Sequence, residues 1–192
     1  MLTIAWDVDD VLNNLMQAWL EDYCEQKNIE FAYENLTTNP PHELLGITLG
    51  EYLTSLDEFR KSKKALYMEP NLEILNWMKK NEGKYKHIAL SATSCETAKY
   101  GAFWVMKNFS KWINSYNIVP SYRAGENFLR QNETKKDFLQ WTNFVDILIE
   151  DSEKNFTEAS SIGIESFLVA KPWNNGVRTI KEILEKIDKL GA

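Results

Sequence analysis

Apolar residues fall into short runs, separated by longer stretches in which they recur every three or four positions. Leu2 to Trp6 is one run, and it stops at the acidic segment Asp7-Val8-Asp9-Asp10, as expected of a buried strand whose end meets a site. His87-Ile-Ala-Leu-Ser91, Val145-Asp-Ile-Leu-Ile-Glu150 and Ser166-Phe-Leu-Val-Ala170 have the same character, and Ile118 to Arg123 is a weaker fifth run. Val11, Leu12, Leu15, Met16, Trp19, Leu20 and Tyr23 form an i, i+3, i+4, i+7 stripe, which predicts a helix facing a core. Glu96 to Ile113, Lys135 to Trp141, Glu153 to Ser161 and Val177 to Leu190 predict further helices. Strands alternating with helices predict an α/β fold with a parallel sheet.

One interval is too long for this pattern. A crossover between adjacent parallel strands takes about 30 residues, and the stretch from Val11 to Lys86 is more than twice that. The surplus runs from Phe31 through Pro40-Pro41 and Gly46 to a helical stretch over Glu51 to Leu66. Short helices and loops are expected there, above the carboxyl edge of the sheet, where ligands of open α/β sheets bind and an insertion acts as a lid. The expected organisation is a catalytic core of residues 1–13 and 82–192 and a helical cap insertion at 14–81. No repeat, low-complexity tract or interdomain linker interrupts it.

Composition narrows the function classes. The 192 residues, 44% hydrophobic and 12% aromatic, suit one compact domain with a small insertion. A net charge of -6 argues against stable binding to nucleic acid or an anionic membrane, which needs a basic surface. A phosphorylated ligand would therefore need its positive charge from a metal and a few placed lysines. No apolar run approaches the roughly 20 residues of a membrane span, and acids stand where a signal peptide would be apolar, so a cytoplasmic location is expected. Cys24 and Cys95 are far apart, with no second pair for a zinc site or a disulfide framework, and are expected reduced and buried. His42 and His87 are expected to be a loop and a strand-entry residue.

Three strand candidates end in residues that phosphoryl transfer can use: Asp7 and Asp9, then Ser91, then Glu150 and Asp151, with Lys135 or Lys136 before an intervening helix. A phosphate monoester is a dianion that repels nucleophiles, so the chemistry calls for Mg2+ held by carboxylates and water. Asp7 is placed to attack phosphorus and form an aspartyl-phosphate. Asp9 is placed to protonate the leaving alkoxide and later deprotonate water. Ser91 and Lys135 could hold the remaining phosphoryl oxygens.

These residues carry a resemblance. Asp7-Val-Asp-Asp-Val-Leu12 resembles the first motif of the haloacid dehalogenase superfamily, Leu90-Ser91-Ala92 its second, Lys135 in Thr-Lys-Lys-Asp-Phe its third and Glu150-Asp151-Ser-Glu-Lys-Asn155 its fourth. The form of motif one, with Ala170-Lys-Pro172-Trp173-Asn174 before a C-terminal helix, is similar to the 5'(3')-deoxyribonucleotidases. The resemblance implies a Rossmann-like three-layer core and a small helical C1-type cap inserted after the first strand. It also implies Mg2+ as cofactor and a nucleoside monophosphate as substrate. It makes Asp7 nucleophile and metal ligand, Asp9 acid/base with its carbonyl on the metal, Asp151 the third ligand, and Ser91, Ala92 and Lys135 the phosphate site. Asp10 departs from the glycine usual after the second Asp, and Glu150 from a frequent Asp.

Two other readings are kept open. The chain could be a superfamily phosphatase for another small phosphate ester such as a sugar phosphate, or a phospho-accepting receiver-like signalling domain. The order of acids and lysine and the large insertion disfavour the second. Phe31, Tyr33, Tyr52, Phe59 and Tyr67 of the cap are candidates for stacking a base, and a homodimer is compatible with the sequence.

Overall fold

The structure, a computed structural model, describes residues 1–121, 123 and 133–191. Five parallel strands, β1 (Thr3–Trp6), β2 (Lys86–Thr93), β3 (Ile113–Pro120), β4 (Ile147–Glu150) and β5 (Glu165–Leu168), form one sheet in the order β3-β2-β1-β4-β5. The chain winds outward from β1 to β3, then returns to the other side of β1 for β4 and β5. The order therefore reverses at β1 and β4, the place where open α/β sheets leave a crevice beyond their carboxyl ends. Trp6 is registered with Ile149 and Ala89, so Asp7 leaves the sheet beside Glu150.

Alternation along the strands divides the core into two layers. Ile4 and Trp6 face one side, packed with α4 (Leu72–Lys80), α5 (Ala98–Phe109) and α8 (Ile180–Leu190). Ala5, Ile88, Leu90 and Leu148 face the other, against α6 (Lys135–Thr142) and α7 (Glu153–Ser160). This is a three-layer Rossmann-like core. α1 (Leu15–Lys27), α2 (Leu49–Lys61) and α3 (Lys63–Leu66) enclose a separate apolar cluster of Trp19, Leu20, Leu36, Tyr52, Leu56 and Phe59, which forms the cap.

Several boundaries move from their expected places. The stripe over Val11 to Tyr23 is broken: Val8–Leu12 makes a tight turn, and α1 starts only at Leu15, after Asn13 Oδ1 accepts from Leu15 N at 3.0 Å. The stretch from Glu51 to Leu66 is split at Ser62, whose extended backbone and hydroxyl cap α3. The helix expected over Glu96 to Ile113 is shorter, because Ile113 is buried in β3. The fifth strand therefore spans Ile113–Pro120, not Ile118 to Arg123, and Tyr122 lies outside the described residues.

Packing also places α4 with the core, not with the cap insertion drawn to residue 81: Ile74, Trp77 and Met78 are buried against the sheet and α8. Trp77 stacks on Tyr85 at 5.1 Å, and its indole donates to Asp188 at 2.9 Å. Cys24 is half-buried and Cys95 exposed, contrary to expectation, since Cys95 sits in the turn between β2 and α5. His87 is buried in β2, where burial lowers its pKa to about 4 and leaves its neutral Nδ1 to accept from Trp6 Nε1 at 3.1 Å. No helix among the described residues is long and apolar enough to cross a membrane.

If α4 is part of the core, Trp77→Ala should lower the stability of the whole domain by about 3 to 5 kcal/mol through the cavity it leaves. Urea unfolding followed by far-UV circular dichroism measures this. A loss below about 1 kcal/mol would return α4 to the cap.

Candidate active site

The site is assembled by the strand ends at the reversal of sheet order. Asp7 extends β1 by one residue, its N–H donating to Ile149 O at 2.9 Å, and Glu150 and Asp151 end β4 beside it. Asp7, Glu150 and Asp151 are buried, and each offers an oxygen within 4.8 Å of the others. Lys135, at the start of α6, sends its ammonium to Asp7 Oδ1 at 2.8 Å and Glu150 Oε2 at 2.7 Å. Lys136, its neighbour, reaches toward Ser161 instead.

The charges in this cluster do not balance. Three carboxylates surround one ammonium, at a place with little water to screen them. Burial, then the neighbouring Glu150 carboxylate, push the Asp7 carboxyl well above its ordinary range, with Lys135 opposing. Asp151 is pushed up to about 6, first by burial and then by Glu150. Burial alone would discharge Lys135, but Asp7 and Glu150 outweigh it and hold the ammonium charged. Converging carboxylates with excess negative charge are a donor set that a hard divalent cation takes, and with both Glu150 oxygens engaged by Lys135, Ser152 and Asn155, Asp7 and Asp151 are the carboxylates that fit Mg2+.

Hydrogen bonds fix the orientation of each carboxylate. Val8 N donates to Asp7 Oδ1 at 2.8 Å. Ser152 N and Asn155 Nδ2 both donate to Glu150 Oε1 at 3.2 Å. Trp173 Nε1 donates to Asp151 Oδ2 at 3.0 Å, and Asn174 Nδ2 bonds the Asp151 carbonyl at 2.7 Å. The Pro172-Trp173-Asn174 segment therefore braces the end of β4.

Asp7, Asp9, Asp10, Glu150, Asp151 and Ala92 line a cleft of about 480 Å³. Leu15, Met16, Tyr52, Leu53 and Leu56 of α1 and α2 line it as well. Ser91 lines an adjoining void of about 30 Å³ that Asp9 and Tyr116 also line. Thr93 and Ser94, which follow in the chain, share their hydroxyls with Thr97. Of the five cap aromatics, Tyr52 lines the cleft. Phe59 is buried inside the cap, Tyr67 is exposed beneath Lys107, and Tyr33 meets Trp173 edge-on.

Arg60, Asp57 and Arg123 were not found from the sequence, although Arg60 and Arg123 line this cleft and Arg60 Nη2 bonds Asp9 Oδ2 at 2.8 Å. Their one sequence signal is scarcity: four arginines stand among 22 basic residues, and arginine is the cation favoured in buried, multiply bonded ion pairs.

Lys135→Met should destabilise the metal-free protein by about 3 to 5 kcal/mol, because it leaves buried carboxylates without their cation. Thermal and urea unfolding in chelator would show it. Unchanged stability would mean that the ammonium is not needed to balance the cluster.

No family profile matches the sequence, and no curated protein matches it. Solved structures do match the fold. A candidate HAD-hydrolase from Bacillus subtilis, solved bound to magnesium, is 12% identical, with 97% of this chain and 98% of that one covered and a TM-score of 0.60. A candidate β-phosphoglucomutase from Thermotoga maritima is 16% identical over 99% and 100%, with a TM-score of 0.58. A candidate phosphoglycolate phosphatase from Lactobacillus delbrueckii is 17% identical over 98% and 96%, with a TM-score of 0.56. This chain has the α/β fold of the haloacid dehalogenase-like hydrolases.

Proposed function

We propose that the chain is a magnesium-dependent phosphomonoesterase that hydrolyses a (deoxy)nucleoside monophosphate through an aspartyl-phosphate on Asp7. One observation carries the reading: a buried carboxylate at the end of the central strand, held by Lys135 and the Val8 amide, stands beside two further carboxylates at a cleft closed by a cap. Asp7, Asp151 and the Asp9 carbonyl would hold Mg2+, with Glu150 orienting Lys135 and the turn after β4. The bound cation would supply positive charge against the phosphate dianion.

An oxygen of Asp7 attacks phosphorus, and the P–O bond to the leaving group breaks as Asp9 gives the alkoxide a proton. Asp9 then takes a proton from water, which attacks phosphorus, releases inorganic phosphate and restores Asp7. Ser91, the Ala92 backbone and Lys135 hold the other phosphoryl oxygens in this reading. Lys135 also fixes the orientation of Asp7, which shortens the search for an attacking geometry.

Asp7→Asn keeps the shape and removes the attacking oxyanion, so phosphate release should fall by about 10^4 or more. Wild-type activity should vanish in excess chelator and return with Mg2+. Folded Asp7→Asn that keeps its activity would defeat the nucleophile assignment. Full activity in chelator would defeat the metal. Turnover, as opposed to stoichiometric stable labelling by a phosphodonor, separates this enzyme from a receiver domain.

The nucleotide as substrate is supported by the motif resemblance and by the cleft. Its volume is within the usual range for small-ligand sites, and Tyr52, Leu53 and Leu56 add an apolar wall to it. Stacking on such a wall can contribute about 1 to 3 kcal/mol, or roughly a 5- to 150-fold preference. Deoxynucleoside monophosphates should therefore exceed hexose phosphates and p-nitrophenyl phosphate in kcat/KM. The names of two structural neighbours favour a second reading, a sugar or other small metabolite phosphate. A panel led by sugar phosphates, with nucleotides at background, would establish that reading in place of the first.

A further inference from the structure

An ion-pair chain joins the cap to Asp9. Asp57 and Arg60 stand one turn apart on α2, and Arg123 follows β3 in the core. Arg123 grips Asp57 with two bonds, Nε to Oδ2 at 2.6 Å and Nη2 to Oδ1 at 2.9 Å, and its Nη1 donates to Ser121 Oγ at 3.0 Å. Asp57 Oδ1 also accepts from Arg60 Nη1 at 3.0 Å, while Arg60 Nη2 donates to Asp9 Oδ2 at 2.8 Å. The side chains of Asp57, Arg60 and Arg123 are 13–14% exposed.

We propose that Arg60 is a positioning residue for Asp9, held by an Asp57–Arg123 clamp so that the acid/base is aimed when the cap is docked on the core. The inference rests on the phosphatase reading and adds to it how the acid/base is placed. Guanidinium geometry makes the arrangement specific. Its nitrogens lie in one plane, so anchoring Nη1 on Asp57 fixes where Nη2 points and hence the plane of the Asp9 carboxylate. An ammonium on a flexible stem transmits no such direction. Among the described residues the other side chain bonded to Asp9 is Asn13, whose Nδ2 stands at 3.5 Å from Oδ1, at the limit of a hydrogen bond.

The clamp crosses the boundary between the two apolar clusters. Asp57 and Arg60 belong to the helix that carries Leu56 and Phe59 into the cap interior, and Arg123 lies just past the end of β3. Burial raises the Asp57 pKa, but hydrogen bonds and charge from Arg123, then Arg60, outweigh it and keep the carboxylate ionised. A cap lifted from the core would separate Asp57 from Arg123 and take Arg60 away from Asp9. Placing the acid/base and closing the cleft are then the same event.

The test compares leaving groups, because p-nitrophenolate departs without a proton whereas an alkoxide needs one from the acid. The kcat/KM of wild type, Arg60→Met, Arg60→Lys and Asp57→Asn is measured on p-nitrophenyl phosphate and on the alkyl phosphate that leads the wild-type panel. Arg60→Met should lose at least about tenfold more on the alkyl ester than on the aryl ester, with Arg60→Lys between it and wild type. Asp57→Asn should show the same selectivity to a smaller degree, and it carries the comparison alone if Arg60→Met does not fold. Equal losses on the two esters, or none, overturn the positioning role and leave the phosphatase reading intact. Absence of wild-type turnover on every phosphate ester overturns both.

Discussion

Like-charge crowding at the end of the sheet is the constraint on which the site depends. Register puts Asp7, just past β1, next to Glu150 and Asp151 at the end of β4. Most of the polar neighbours serve to contain that repulsion. Lys135 bridges the first two acids, Asn155 and Ser152 hold the outer oxygen of Glu150, and Trp173 holds Asp151. Such a cluster costs stability unless it is compensated. Converging carboxylates of this kind can hold a divalent cation.

The cap adds an apolar face to a site otherwise made of charge. Its interior, packed around Trp19, Tyr52, Leu56 and Phe59, makes it a small core of its own, not a floppy loop. Two hydrogen bonds tie its hinge regions to the body: Asn71 N to Leu12 O at 2.8 Å and Trp104 Nε1 to Met68 O at 2.8 Å. A unit that holds together internally around its own apolar cluster can move as one piece.

The parts legible in the sequence were those set by local pattern. The apolar runs marked four of the five strands to within two residues at each end; for β1, β2 and β4, burial on both faces of the parallel sheet leaves a continuous signature. Strand β3 was misplaced: Asn114, Ser115 and Asn117 interrupt its hydrophobic run, as an edge strand permits. Asp7, Asp9, Ser91, Glu150 and Asp151 were legible as a set, since each stands at or just past the end of an apolar run; Asp7, Asp9, Glu150 and Asp151 line one cleft, and Ser91 lines the adjoining void. The choice of Lys135 over Lys136 was legible only as a preference. In the structure Lys135 shares a buried face of α6 with Phe138 and Leu139, whereas Lys136 reaches toward Ser161. The chain Asp57–Arg60–Asp9 was not legible, because it joins residues about 50 positions apart and depends on how the cap docks.

Asp10 shows how a departure from the resembled motif can be absorbed by the backbone. Asp7 and Asp9 are extended, and the chain then reverses through Asp10 at φ 63°, ψ 7°, a left-handed conformation that glycine adopts freely. A non-glycine residue there costs about 1 kcal/mol, and aspartate is among those that tolerate it best. Its side chain offsets the cost: Oδ1 accepts from Met16 N at 3.0 Å at the start of α1, while Asp10 N donates to Asn13 Oδ1 at 3.0 Å. The extra acid is thus engaged in closing the turn. That turn sends α1 back across the end of the sheet, which places Leu15 and Met16 on the cleft wall and keeps Asp7 and Asp9 in the same cleft.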